Sequence, residues 1–228
     1  MTSFPFDIVG FDLDGTLLDT SADLAAAVNH VLALHDRAPL AVEAVKPMVG
    51  LGARHMLKQG LAASGGVDEA LLDSGYPLLL ERYAANISAG TVPFPGMLDA
   101  LDTLQGHGVT VAIVTNKFEA MAVKLVTELG LADRFACIIG GDTMGKGNAK
   151  PSPLPIHEMI RRCGGGRAAF VGDSIFDIQA AKAAALPSIA VSFGFLWQPV
   201  EELGADAVID HFDQLVPALY RLAQPGGR

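Results

Sequence analysis

The sequence predicts an α/β fold, a doubly wound parallel sheet with an all-helical segment inserted after its first strand. Three observations support this prediction. Short apolar runs that end in polar residues alternate with helical stretches, as in a parallel sheet covered on both faces. Residues 21–88 interrupt this alternation and contain no convincing strand. The 228 residues, half of them hydrophobic, suffice for one large core or two smaller ones.

The predicted strands are short and apolar, as expected for strands buried on both faces. They are "FDIVGF" at 6–11, "GVTVAIVTN" ending near Asn116, "FACIIGGD" ending near Asp142, "AAFVGD" ending at Asp173, "SIAVSFG" ending near Gly194 and the weaker "DAVID". The predicted helices between and after them cover residues 97–105, 118–129, 154–163, 178–185 and 212–222.

The inserted segment has helical periodicity from its first residues, with Leu24, Val28, Val31 and Leu32 on one face. Thr20, followed three residues later by Asp23, predicts a capping box. The insert is bounded by two short segments that we interpret as linkers, "LLDTS" before it and "SAGTVPFPG" after it. We therefore predict an α/β core formed by residues 1–19 and 90–228, and a helical domain at residues 20–89 whose two connections to the core can act as a hinge.

The amino-acid composition disfavours several classes of binding partner. With 16 Lys and Arg against 25 Asp and Glu, a net charge of −9 disfavours binding to nucleic acid or to an anionic membrane. Cys137 and Cys163 form no Cys-x-x-Cys pair, so we expect reduced thiols. Neither a signal peptide nor a membrane span is apparent. We expect a cytoplasmic protein whose partner is a small molecule.

Polar side chains follow several predicted strands. Asp12 and Asp14 come after the first strand, Thr115 and Asn116 after the second, Lys150 after the third, and Asp173 with Asp177 after the fourth. Ligands of open parallel sheets bind beyond the carboxyl ends of the strands, so these residues are expected at one rim. Four carboxylates without nearby His or Cys favour Mg²⁺ over zinc. Mg²⁺, a lysine and hydroxyl donors together suit a transferring phosphoryl group.

In their order, these motifs resemble those of the haloacid dehalogenase superfamily, and especially its phosphoglycolate phosphatase-like branch. The matching segments are Asp12-Leu13-Asp14-Gly15-Thr16, Thr115 after an apolar strand, Lys150-Pro151, and Gly172-Asp173-Ser174-Ile175-Phe176-Asp177. The resemblance spans nearly the whole chain, including the inserted helical cap.

The resemblance implies a two-step hydrolysis of a phosphoester. Asp12 would attack phosphorus and become an aspartyl-phosphate, while Asp14 would protonate the leaving oxygen and then activate water. Mg²⁺ would be held by the Asp12 side chain, the Asp14 carbonyl and Asp173, with Asp177 in support. Thr115 and Lys150 would contact the phosphoryl group. We expect the substrate-binding residues to be Gly15, Thr16, Asn116 and Arg54, with Gly15 forming a tight turn whose backbone N–H groups face the anion.

Several assignments have rivals. Lys146 competes with Lys150 as the phosphate lysine, although the family pattern places its lysine directly before a proline. Asp177 also suits the first turn of a helix. Arg54, in a cap loop at residues 50–54, either clamps the leaving group or is solvated. Trp197 stands in a loop near the rim, where it is expected to make a bulkier pocket wall.

The leading function is a Mg²⁺-dependent phosphatase of a small phosphorylated metabolite, with phosphoglycolate as the first candidate substrate. A sugar-phosphate phosphatase and a phosphomutase of the β-phosphoglucomutase type remain open, because both would use the same rim. A non-catalytic binding protein with this fold is the alternative from another functional class.

Overall fold

The core of the molecule is a six-stranded sheet, seen in a computed structural model that describes residues 4–224. All neighbouring strands run parallel, in the order β5-β4-β1-β6-β7-β8. The strands are β1 (Ile8–Phe11), β4 (Thr110–Val114), β5 (Ile138–Ile139), β6 (Ala168–Gly172), β7 (Ser188–Val191) and β8 (Ala207–Ile209). Each lies within one of the apolar runs of the sequence, so the predicted α/β class is confirmed.

Helices cover both faces of the sheet because alternate strand residues point to opposite sides. Val9 and Phe11 of β1 belong to the larger core, together with residues of three helices on that face. Ile8 belongs to a second core on the other face. The first group of helices is α5 (Met97–Gly106), α6 (Glu119–Glu128) and α9 (Leu215–Leu222), and the second is α7 (Leu154–Arg162) and α8 (Ile175–Ala183).

The inserted segment is helical, as its periodicity predicts. It contains α1 (Ser21–Ala33), α2 (Val42–Val45), α3 (Ala53–Ala63) and α4 (Glu69–Ala85). Leu24, Val28, Val31 and Leu32 are all buried along α1. Two short strands, β2 (Leu18–Asp19) and β3 (Val92–Pro93), pair antiparallel where the chain enters and leaves the insert. This pair was not predicted, since two residues are too few to show a strand periodicity.

The predicted capping box at the start of α1 is wrong. Thr20 makes no capping hydrogen bond, and its hydroxyl donates to Asp14 Oδ1 over 2.7 Å instead. Asp23 accepts hydrogen bonds from the Gly90 N–H at 2.8 Å and from the Thr91 hydroxyl at 2.7 Å. Both side chains therefore bind groups of other segments, and Asp23 ties the start of the insert to its end.

Within residues 4–224, none of the helices combines the length and the apolar character that crossing a membrane would require.

Candidate active site

The candidate site lies at the carboxyl ends of three adjacent strands. Asp12 follows β1, Thr115 follows β4 and Asp173 follows β6. Because β4 and β6 pair with the two edges of β1 in parallel, the ends of all three strands meet at one rim. All three side chains are nearly fully buried and line one cavity.

Three carboxylates come together at this rim. Asp12, Asp173 and Asp177 each offer an oxygen, and these oxygens lie within 4.8 Å of one another. Lys150 Nζ lies 2.9 Å from Asp12 Oδ1 and 2.5 Å from Asp177 Oδ1, and it donates to the Val114 carbonyl at 2.8 Å. Three carboxylates and one ammonium leave the fully ionised cluster with a charge of −2 in a buried setting.

Burial is the largest cause of the pKa shifts of Asp12 and Asp173. It raises the pKa of Asp12 to about 6, while Lys150 opposes the shift and Asp177 adds to it. The pKa of Asp173 is also raised well above its ordinary value, by burial first and then by the charges of Asp177 and Asp12. Asp173 is held by the Phe195 N–H at 2.7 Å and by the Thr16 hydroxyl at 3.0 Å.

A divalent cation fits the chemistry of this cluster. Its charge would balance the −2 of the four groups, and carboxylate oxygens are the donors that Mg²⁺ prefers. Asp12 Oδ1 is buried and accepts no hydrogen bond, since the Lys150 contact lacks hydrogen-bond geometry. One buried acceptor thus remains for a further electropositive partner.

Asp177 belongs to the cluster but is not among the described residues that line the cavity. Its Oδ2 accepts from the backbone N–H of Ser174 at 2.9 Å, and the hydroxyl oxygen of Ser174 accepts from the backbone N–H of Asp177 at 3.4 Å, which forms a capping box at the start of α8. Its Oδ1 holds Lys150. Asp177 therefore starts a helix, as one reading of the sequence suggests, and also fixes the lysine of the cluster.

The geometry distinguishes the two candidate lysines. Lys150 is 4% exposed and contacts two carboxylates of the cluster, whereas Lys146 is exposed to solvent in a preceding turn. Of the two lysines, Lys150 is therefore the one that belongs to the acidic cluster.

Asp14 belongs to a separate ion pair. Its Oδ2 lies 2.9 Å from Lys117 Nζ, and its Oδ1 accepts from Thr20. Lys117 also donates to the hydroxyl of Tyr83 at 2.9 Å, and Tyr83 lies on α4 of the insert. Burial lowers the pKa of Lys117, but Asp14 and Tyr83 outweigh it, so the net shift is upward. Core and insert both hold the Asp14 carboxylate.

The cavity above the rim has a volume of about 290 Å³. Its polar lining includes Asp12, Asp14 and Asp173. Apolar side chains from both parts of the chain complete the wall, namely Leu24, Val49, Met56, Leu79, Leu80, Phe118 and Met121. A largely apolar wall with a few polar groups is typical of a binding site for a small ligand.

The predicted substrate-binding residues differ in their placement. Asn116 lines the cavity, and its amide donates to the carbonyls of Gly50 at 3.0 Å and Lys150 at 3.1 Å. Gly15 and Thr16 are not among the cavity-lining residues of the described chain.

The backbone explains the placement of Gly15. Its N–H donates to the Leu18 carbonyl at 2.9 Å, so it does not face an anion as expected. Its φ is 81°, and a Cβ added at this position would lie only 2.2 Å from Asp173 Oδ2. Both facts explain why the residue is a glycine.

Arg54 and Trp197, which were both expected near the cavity, differ in their placement. Arg54 lines the cavity, but its guanidinium lies 2.7 Å from Asp73 and 3.8 Å from Glu69, and all three side chains are largely exposed. Trp197 is 52% exposed and stacks on Phe176. It is not among the described residues of the cavity wall. The expectation of a bulky wall at Trp197 is therefore not met.

Sequence reasoning missed Lys117 and Tyr83. Lys117 directly follows Thr115 and Asn116, so its place after a buried strand was a usable signal. No local signal marks Tyr83, which lies in the helical insert 34 positions earlier in the chain.

Comparison with known proteins identifies the family of the chain. A family model described as haloacid dehalogenase-like hydrolase matches residues 9–191. A phosphoglycolate phosphatase of Agrobacterium fabrum is 43% identical over 96% of this chain and 95% of its own length. One from Caulobacter vibrioides is 39% identical over 90% of this chain and 86% of its own.

Solved structures show the same fold. A crystal structure of a predicted phosphoglycolate phosphatase from Haemophilus somnus has a TM-score of 0.85 at 25% identity, covering 95% of this chain and 98% of its own. The family match spans most of the chain and includes Asp12, Thr115 and Asp173. The chain therefore belongs to the haloacid dehalogenase-like hydrolases.

Proposed function

We propose that this protein is a Mg²⁺-dependent phosphatase that hydrolyses a small phosphomonoester through an aspartyl-phosphate, with phosphoglycolate as the leading substrate. One observation carries the proposal: the carboxylates of Asp12 and Asp173 line a small cavity, and both belong to a buried cluster that includes Asp177 and Lys150. The names of the relatives at about 40% identity support the substrate.

In the first step, an oxygen of the Asp12 carboxylate attacks phosphorus, and the bond from phosphorus to the ester oxygen breaks. Asp14 gives a proton to the departing alcohol oxygen, and Thr115 and Lys150 donate hydrogen bonds or charge to the phosphoryl oxygens. In the second step, Asp14 takes a proton from water, which attacks the phosphorus. The bond from phosphorus to the Asp12 oxygen breaks, so inorganic phosphate leaves and the Asp12 carboxylate is restored.

The residues that would hold the metal are the Asp12 side chain, the backbone carbonyl of Asp14, and Asp173. Asp177 would support them by fixing Lys150 and the start of α8. When bound, Mg²⁺ would supply positive charge that offsets the charge of the phosphoryl group.

We also propose that residues 20–89 act as a cap domain over a core of residues 1–19 and 90–228. The support is the position of the insert: its helices supply the apolar roof of the cavity, and its two ends adjoin the β2–β3 pair. Closure of this cap would keep bulk water away from the acyl-phosphate.

Phosphate release from a panel of small phosphoesters tests the proposal, each measured with Mg²⁺ and with a chelator. We expect turnover only with Mg²⁺, and the highest kcat/KM with phosphoglycolate. Asp12→Asn removes the nucleophile and should abolish turnover, while Asp99→Asn, at an exposed position on α5, serves as the matched control. Native turnover by Asp12→Asn, or no hydrolysis of any phosphoester by the wild type, would refute the proposal.

A further inference from the structure

The mechanism proposed above leaves one buried cation of the cavity without a role. The Lys117 side chain is 7% exposed and lines the cavity. Its ammonium lies 2.9 Å from Asp14 Oδ2 and 2.9 Å from the Tyr83 hydroxyl, 4.5 Å from the centre of the Tyr83 ring. Burying an ammonium is costly, so a position like this one needs anionic partners.

The other cation of the cavity wall lies near two carboxylates, whereas Lys117 is paired with one. Among the described residues that line the cavity, the cations are Arg54 and Lys117. Arg54 is 47% exposed and is flanked by the carboxylates of Asp73 and Glu69 on the surface of the insert. Lys117 is buried and has one carboxylate partner, so it is the cation better placed to attract an anion inside the cavity.

The distance from Lys117 to Asp14 determines which anion it can reach. For Asp14 to protonate the leaving oxygen, that oxygen must lie within about 2.6–3.2 Å of the Asp14 carboxylate. The Lys117 ammonium lies at a similar distance, 2.9 Å, from the same carboxylate. A charged group one methylene away from the ester oxygen therefore falls within reach of Lys117.

Much of the wall that the insert supplies is apolar. Leu24, Met56 and Leu79 of the insert face the cavity with apolar side chains, and burying a carboxylate against them would be strongly unfavourable. Pairing with an ammonium is the means by which a protein accommodates such a charge.

We propose that Lys117 determines substrate specificity by binding a carboxylate on the leaving group, one methylene from the ester oxygen. The Tyr83 hydroxyl and ring hold the ammonium in place, so this contact also links the core to the insert. This inference rests on the proposed phosphatase function and deepens it: the preferred substrates are phosphomonoesters of 2-hydroxy carboxylates.

The test compares two substrates of similar size, phosphoglycolate and ethyl phosphate, which lacks the carboxylate. Lys117→Met should lower the ratio of their kcat/KM values by about 10- to 100-fold, the effect of losing one charged hydrogen bond. Lys117→Arg keeps the charge and should retain most of the preference. Lys124→Met, an exposed lysine on α6, is the matched control and should leave the ratio unchanged.

A role limited to orienting Asp14 would give a different result. In that case Lys117→Met would slow both substrates equally, and an unchanged ratio would overturn the inference while leaving the phosphatase proposal intact. The phosphatase proposal fails separately, if the wild type hydrolyses neither substrate.

A measurement on the wild type keeps the test decisive if Lys117→Met does not fold. Glycolate and ethanol are compared as inhibitors of ethyl phosphate turnover. We expect glycolate to inhibit at a concentration at least about tenfold lower than ethanol, and equal inhibition would overturn the inference.

Discussion

Replacing Lys150 by Met tests whether this lysine holds the acidic cluster together. The substitution preserves most of the side-chain volume and removes the ammonium that lies 2.9 Å from Asp12 and 2.5 Å from Asp177. The Val114 carbonyl loses its donor at the same time. In buffer without divalent cations, three buried carboxylates would remain without a countercharge.

The expected loss of stability is large. Removing one partner of a buried ion pair costs about 3–5 kcal/mol. For a chain of this length, each kcal/mol lowers the melting temperature by about 2–4 °C. We therefore expect Lys150→Met to melt roughly 10 °C below the wild type in the presence of a chelator. Added Mg²⁺ should raise the melting temperature of the variant more than that of the wild type, because the cation replaces the lost charge.

Lys146→Met is the matched control, since it makes the same change at an exposed lysine four positions away. Surface substitutions of this kind usually change the free energy of unfolding by less than about 0.5 kcal/mol. Thermal unfolding followed by circular dichroism measures both variants with chelator and with Mg²⁺. If Lys150→Met melts at the same temperature as Lys146→Met under chelation, the reasoning about the cluster is wrong.

Two further predictions concern the turn after β1 and the junction of the insert. Gly15→Ala should reduce phosphate release at least about tenfold, because the added Cβ would lie 2.2 Å from Asp173 Oδ2. Gly145 has a similar φ, but no heavy atom lies within 4 Å of a Cβ added there. Gly145→Ala is therefore the control and should retain activity. Asp23→Ala should lower the free energy of unfolding by about 3 kcal/mol in denaturant titrations, because Gly90 and Thr91 lose a buried charged acceptor. Asp68→Ala, which removes an exposed helix cap, should cost about 1 kcal/mol, and equal losses would contradict the role assigned to Asp23.

The sequence alone determined the sheet and much of the rim. Each buried strand is a short apolar run, and a parallel sheet brings the residue after each run to the same edge. The positions of Asp12, Thr115 and Asp173 follow from this local pattern. The helical nature of residues 21–85 was likewise readable from a periodicity of apolar residues, which depends on nothing beyond the helix itself.

Only the tertiary structure decided which polar side chains are partners. Asp23 looks like half of a capping box, yet it binds Gly90 and Thr91, more than sixty residues away in sequence. Lys117 contacts Asp14 at the rim and Tyr83 on α4 of the insert. Arg54 instead pairs with an acidic residue of the insert itself. The partner of a long charged side chain depends on which groups the fold brings close to it. The distance between segments that are remote in sequence is not encoded in any periodic pattern of residues.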